Sequence, residues 1–314
     1  MTVVRIGARG SRLSRAQSGQ IQARIAAALG APPEAAEEVA PLVFITTSGD
    51  RIQDRRLLEV GGKGLFTKEI EQALLDGEID CAVHSLKDVA ALQPPGLALA
   101  AFPQREDPRD AFLSAKYARF EDLPQGARVG TASLRRQAQL LRRRPDLQVL
   151  LLRGNVDTRI AKLEAGECDA IILAAAGLKR LGLAHHIRQS FDPAVAPPAP
   201  GQGVLAIQTR EAGIGAAWLA PLRDPPTALA VAAERAAMEV LEGSCRTAIG
   251  AHAWIDGEAL VVAVEALTGD GAQVWRRDGR TAAAGPDAEA GARALGMALG
   301  AEIRQAAGGR LFVA

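Results

Sequence analysis

Apolar residues in the first third of the chain fall into short blocks, as strands require, separated by runs that recur every three to four positions, as helices require. Residues 3–8 read as a strand, about 14–29 as a helix and 39–46 as a second strand. Residues 66–75 carry apolar side chains at helical spacing and stop at Gly77, a common helix-ending residue, and another strand follows at 81–83. A further apolar run at 97–102 gives way to PQREDPRD at 103–110, which breaks the pattern as a domain crossing does.

From Ala111 a second α/β set begins, with strands near 128–130, 149–152 and 170–173, each followed by a helical pattern. The segment AVAPPAP at 194–200 sustains neither a helix nor an interior strand, and Gly201-Gln202-Gly203 adds backbone freedom, so a second crossing belongs there. Pro225-Pro226 opens a helical stretch to about residue 241. Strands at 249–254 and 260–266 and a closing helix at 287–305 complete a smaller α+β region. A chain of 314 residues exceeds what one core of about 250 to 300 residues organises. The fold class expected is therefore α/β in three domains: 1–103 with 201–222, then 104–200, then 223–314. No internal repeat is apparent.

Composition narrows the function classes. With 48% hydrophobic and 23% charged residues the chain reads as a soluble globular protein, and 4% aromatic content gives little for base stacking. A net charge of +1 likewise argues against nucleic acid as the partner. No apolar run approaches the roughly 20 residues of a membrane span, and the opening MTVVRIGARGS reads as a strand rather than a signal, so a cytoplasmic protein without membrane contact is expected. Cys81, Cys168 and Cys245 are far apart and support neither disulfides nor a zinc site. His185 and His186 are adjacent and are expected to point to different faces, so no metal is expected. Of the 37 basic residues only six are lysine, which reflects either base composition or many carboxylates to recognise.

The candidate chemistry concentrates at strand ends. Arg135 and Arg136 in TASLRR oppose the dipole of the helix they begin unless an anion sits there, held with Thr131 and Ser133; a solvated arginine face explains them equally well. Arg153 and Arg159 in LRGNVDTR repeat the arrangement, with Asn155 or Asp157 as a cap. GLKRLG at 177–182 and Arg9-Gly10-Ser11 supply two more basic turns. In open α/β sheets such strand ends face the ligand crevice. Lys63 in GGKG lacks the hydroxyl residue and first glycine of a phosphate loop, which leaves a glycine loop presenting one lysine to an anion, or a structural loop. In HSLKD, Asp88 beside Lys87 is either a surface ion pair or a carboxylate placed for cations and ring nitrogens. Cys245, in a turn after a long helix and beside Arg246, is either a small buried side chain or a nucleophile.

Ten collinear segments carry a family resemblance: RIGARGSRL, TTSGD, VGGKGLFTKEIE, AVHSLKD, REDPRDAF, GTASLRRQAQL, LRGNVDTR, AAAGLKRLGL, PAPGQGVLAI and AAERAAMEVLEGSC. They resemble the hydroxymethylbilane synthase (porphobilinogen deaminase) family from end to end. The resemblance implies three domains, the first two similar to type II periplasmic binding proteins. It implies that Cys245 anchors a dipyrromethane cofactor through a thioether and that Asp88 is the catalytic carboxylate. It further implies that Arg9, Ser11, Lys63, Ser85, Lys87, Thr131, Ser133, Arg135, Arg136, Arg153, Arg159 and Arg180 hold acetate and propionate arms. The reaction implied joins four porphobilinogen units through azafulvene intermediates and releases hydroxymethylbilane by hydrolysis. A monomer handing its product to uroporphyrinogen-III synthase is the implied setting. Glu59, Ala90, Ala132 and Ser244 depart from the commonest family pattern, and Glu59 removes a first lysine before Lys63. The rival readings are a periplasmic-type anion-binding protein, which explains neither Cys245 nor Asp88, and a nucleic-acid binder suggested by the arginines at 135–144.

Overall fold

The computed structural model describes residues 2–51, 64–241 and 247–311. Their strands, in chain order, are β1 Ile6–Ala8, β2 Leu42–Phe44, β3 Cys81–Ser85, β4 Leu97–Ala101, β5 Asp110–Leu113, β6 Arg128–Gly130, β7 Gln148–Leu150, β8 Ala170–Ala174, β9 Gln189–Ser190, β10 Leu205–Arg210, β11 Ala248–Asp256, β12 Ala259–Leu267 and β13 Val274–Ala282. Their helices are α1 Arg12–Ala28, α2 Ala36–Val39, α3 Ser48–Arg51, α4 Lys68–Leu75, α5 Leu134–Arg143, α6 Val156–Glu164, α7 Ala175–Arg180, α8 Pro225–Val240 and α9 Ala288–Ala307. These residues form two compact units. The first lies within Met1–Arg55, Gly61–Glu106 and Val204–Ala228, the second within Asp107–Gly203 and Leu229–Ala314.

The first unit is built on one sheet of order β2-β1-β3-β10-β4, in which β1 pairs parallel with β2 and β3 while β10 runs antiparallel to β3 and β4. Side chains alternate across a strand, so Cys81 and Val83 of β3 pack with Ile21 and Ile25 of α1, and Ala82 packs with Ile70 and Leu74 of α4. A sheet covered on both faces needs apolar residues in succession, which is why β3 begins as the unbroken run Cys-Ala-Val. Gly7 of β1 is required by packing, because a Cβ there would stand 2.2 Å from Ile79 Cδ1.

The second unit contains a sheet of order β7-β6-β8-β5-β9, again with parallel pairs around one strand, here β6, and with β5 antiparallel to both neighbours. Position for position this repeats the first sheet, β6 standing for β1, β8 for β3 and β5 for β10. The repeat is one of topology, and no shared motif betrays it. The same unit holds the antiparallel sheet β11-β12-β13, whose core joins Val262 and Val264 of β12 to Leu229, Ala233 and Ala237 of α8 and to Leu299 and Ile303 of α9. Helix α5 links the two sheets of this unit. Ala138 packs with Ala248 and Leu267, and Gln139 Nε2 donates to Glu265 Oε1 at 3.0 Å. The expected fold class, two α/β sheets and a small α+β region, is the one observed.

Several local expectations change. Residues 39–46 do not form one strand: α2 ends at Val39, and β2 spans only Leu42–Phe44. Strands β10 and β13 were not visible as periodic runs, β13 because VWRRDGRTA is a charged strand at a sheet edge. The basic residues of 177–182 do not follow a strand directly. Lys179 and Arg180 close helix α7, where cations complement its dipole. His185 and His186 do not diverge, since their rings lie 4.3 Å apart on a short 3-10 turn. No helix is long and apolar enough to cross a membrane, and no group of three or more His, Cys, Asp or Glu is placed to hold a metal, both among the described residues.

Candidate functional site

The first unit gathers four of the predicted residues around one cavity. It is lined by Arg9, Ser11, Gln17, Phe66, His84, Ser85 and Asp88, with Leu13, Ser14, Thr67 and Val83 completing the wall. The location follows from the sheet: β1 and β3 run parallel and side by side, so the segments after both deliver side chains to the same end. Ser11 is the N-cap of α1, its Oγ accepting from Ser14 N at 3.3 Å. The guanidinium of Arg9 is fixed from two sides, by the ring of Phe66 at 4.1 Å and by the carboxylate of Asp50. Burial works against ionisation of Asp50, yet hydrogen bonds from Arg9 and Thr47 and the charge of Arg9 hold its carboxyl below the usual range.

Ser85 ends β3, with its Oγ 2.9 Å from Gln17 Nε2. The 3-10 turn Leu86–Asp88 follows, and Leu86 N donates to Val204 O at 3.0 Å. This turn leaves Asp88 exposed at the cavity and Lys87 half-buried. Lys87 is not among the lining residues.

The second unit holds the other arginines. Ser133 caps α5 by accepting from Arg136 N at 3.4 Å, and Thr131 Oγ1 accepts from Ser133 N at 3.1 Å. Both oxygens are thus engaged as acceptors, which leaves the hydroxyl hydrogens to donate. Arg135 and Arg136 are 4% and 7% exposed, so the alternative of a solvated arginine face fails for them. The anion they meet belongs to the chain itself. Asp110, 4% exposed, takes Arg135 Nη1 at 2.7 Å, Arg136 Nη2 at 2.7 Å and Gln202 Nε2 at 2.9 Å. Burial raises the cost of that carboxylate, but the charges of Arg135 and Arg136 and the hydrogen bonds outweigh it and hold Asp110 far below the usual range. Arg135 Nε is buried and has no hydrogen-bond partner among the described residues.

Arg153 lies between β7 and α6, beside Gly154, whose φ of +116° favours glycine. Asn155 is the N-cap of α6 but makes no side-chain capping bond. Arg159 turns back from α6, its Nε 2.8 Å from Gly154 O, and Arg180 Nη2 donates to Gly203 O at 2.8 Å. Lys63 and Cys245, like Glu59 and Ser244, lie outside the described residues.

Sequence reasoning missed Gln17, Phe66 and His84 in the cavity wall and Asp110 behind the arginine pair. Phe66 and His84 sit in the quoted motifs and Gln17 lies just beyond the first of them, but only the proximity of β1, β3 and α4 shows that they share a cavity. The donor set suits an anionic aromatic group: one fixed guanidinium, several hydroxyls, an amide, an aromatic ring and a single exposed carboxylate. A dipyrromethane bearing acetate and propionate arms fits that chemistry.

Residues 4–214 match the family model described as porphobilinogen deaminase, dipyromethane cofactor binding domain, and residues 228–305 match porphobilinogen deaminase, C-terminal domain. The chain is similar to the porphobilinogen deaminase of Caulobacter vibrioides, 64% identical over 314 residues, which cover 99% of this chain and 98% of that protein. It is 62% identical over 310 residues to that of Phenylobacterium zucineum, covering 98% and 97%. Among solved structures, an ABC transporter periplasmic substrate-binding protein from Coxiella burnetii overlaps 72% of this chain and 94% of its own at 13% identity and a TM-score of 0.43, a likeness too loose to bear on function. With both family models matched in order along nearly the whole length, the chain belongs to the porphobilinogen deaminase family.

Proposed function

We propose that this chain carries out the reaction of its family, hydroxymethylbilane synthesis. Four porphobilinogen units are deaminated and joined head to tail on a dipyrromethane anchored by Cys245, and water releases the linear product. The observation that carries the residue assignment is the cavity that collects Arg9, Ser11, Ser85 and Asp88 at the ends of β1 and β3.

Each pyrrole brings two carboxylates, which is the reason for so many guanidinium groups. Arg9 is held ready by Asp50 and Phe66, so it meets a carboxylate without first losing side-chain freedom. Ser11 and Ser85 add hydroxyl donors. Asp88 is the single exposed carboxylate of the wall among the described residues. Its negative charge stabilises the cationic azafulvene that porphobilinogen becomes on losing ammonia, and its oxygens accept the ring N–H whose acidity rises at that moment. When bound, the dipyrromethane supplies the free α-carbon to which the first unit is joined.

Lys63, Lys87, Thr131, Ser133, Arg135, Arg136, Arg153, Arg159 and Arg180 are the remaining carboxylate holders in this reading. For the α5 pair, Asp110 orients both guanidinium groups, and Arg135 Nε is a donor not spent on the described chain. The same reading takes the chain as a cytoplasmic monomer of three domains, divided at about residues 103, 201 and 223, that passes its product to uroporphyrinogen-III synthase.

The test is turnover of porphobilinogen by the purified chain, with Arg9→Ala and Asp88→Ala beside it. Consumption of porphobilinogen that falls sharply in both variants is expected. A wild type that binds porphobilinogen without consuming it points instead to an anion-binding protein.

A further inference from the structure

Among the described residues three titratable side chains line the first-unit cavity, Arg9, Asp88 and His84, and the reaction as described employs only the first two. Residue alternation along β3 turns Val83 and Ser85 toward α1, so His84 projects to the opposite face, where α4 packs. The ring is 6% exposed and still reaches the cavity wall.

A chain of hydrogen bonds decides which ring nitrogen carries hydrogen. Gln93 Nε2 lies 3.0 Å from Ala90 O, and a main-chain carbonyl only accepts, so the Gln93 nitrogen is at that end. Gln93 Oε1 then faces Gln208 Nε2 at 2.9 Å, and Glu71 Oε1 stands 3.4 Å from the same nitrogen. Gln208 therefore turns its oxygen to His84, 2.9 Å from Nε2, and that ring nitrogen must donate. Nδ1 is left with a lone pair, and among the described residues no hydrogen bond reaches it. The ring also stays uncharged. Burial pushes its pKa down to about 4, with the charge of Arg9 acting the same way and Gln208 and Asp88 opposing. A neutral imidazole in one fixed tautomer is an acceptor for one N–H group.

We propose that Nδ1 of His84 accepts the ring N–H of a pyrrole bound in this cavity, which makes His84 a substrate-binding residue that selects N–H heterocycles. The division of labour with Asp88 follows from charge. An anionic acceptor suits the ring that turns cationic, and a neutral acceptor suits a ring that must keep its electron density to act as a nucleophile. The pyrrole N–H is the ring's one donor, and a ligand lacking it leaves the site's acceptor unpaired. The identity of the ligand rests on the proposed reaction.

The experiment uses the cofactor-loaded enzyme with 15N-labelled histidine and two unreactive probes. One is a pyrrole with the acetate and propionate arms of the substrate but no aminomethyl group, and the other is its thiophene counterpart. Nδ1 of His84 is expected to be unprotonated at rest, to shift when the pyrrole saturates the site, and to stay put with the thiophene. The pyrrole should bind roughly 10-fold more tightly, the factor that corresponds to a 1.4 kcal/mol difference, and the preference should vanish in His84→Leu. A proton on Nδ1 at rest, a resonance unmoved by saturating pyrrole, or equal shifts with both probes overturns the inference, and the NMR result needs no variant to fold. Porphobilinogen turnover with Nδ1 unmoved defeats the assignment of His84 alone. Neither turnover nor probe binding defeats the proposed reaction with it.

Discussion

Asp88 and His84 stand four positions apart and differ in their access to water. The 3-10 turn after β3 pushes Asp88 out into the cavity, while the strand keeps His84 largely buried and hydrogen-bonded to Gln208 of β10, with only part of the ring at the cavity wall. Asp88→Asn removes a charge without changing shape, so turnover is expected to fall by about 10²-fold or more while the covalent cofactor stays in place, as rate and mass measurements on one sample will show. His84 also bears on stability. Its pKa of about 4 in the folded chain lies below the ordinary 6.5, so the unfolded chain binds the proton first. Stability is therefore complete above pH 6.5 and falls as pH drops toward 4, by about 3 kcal/mol in all, and His84→Gln should flatten that slope in urea titrations. The depressed carboxyls of Asp50 and Asp110 act at lower pH, since their contribution holds above the ordinary 3.8 and is lost only as pH falls below it. Asp110→Ala strands two buried guanidinium groups and is expected to cost about 3 to 5 kcal/mol in chemical denaturation. At this scale the sequence singles out candidate residues for the chemistry, because arginines beside glycines and capping hydroxyls conflict with local preference. It does not show their partners. Asp110 meets Arg136 across 26 positions only through the pairing of β5 with β8.

Elements whose pattern is set by burial on one or both faces were legible. α1 was placed to within two residues, and β3, β8 and β12 appeared as apolar runs. The elements that were missed obey other constraints. β13 lies at a sheet edge and carries Arg276, Arg277 and Arg280, so it lacks the alternation of a half-buried strand. β10 crosses back into the first sheet after a glycine-rich turn, a placement that depends on tertiary pairing rather than on its own pattern. Close packing of α8 on α9 also escaped notice. It depends on Gly296, where a Cβ would stand 2.1 Å from Ala233 O, and on Gly300, where it would stand 3.0 Å from Ala237 O. Gly296→Ala must move one helix and is expected to destabilise the chain by about 1 to 3 kcal/mol, although alanine is the better helix former, and a lowered urea midpoint will show it.

For the molecule as a whole, the α/β class and the three sheets were readable because most strands and helices of each sheet lie in one run of chain, β10 being the exception. The topological repeat was not, since the two five-stranded sheets share strand order and capping serines without sharing a motif. That common architecture explains why Ser11 and Ser133 occupy matching places, each capping the helix after the strand that has parallel neighbours on both sides, β1 in one sheet and β6 in the other. In the proposed function this scaffold holds a primer built from its own substrate on Cys245. The direct test is the denatured mass of the purified chain beside that of Cys245→Ala. The account predicts an excess equal to two deaminated porphobilinogen units in the wild type and none in the variant. A wild type of unmodified mass that stays unmodified after incubation with porphobilinogen would contradict it.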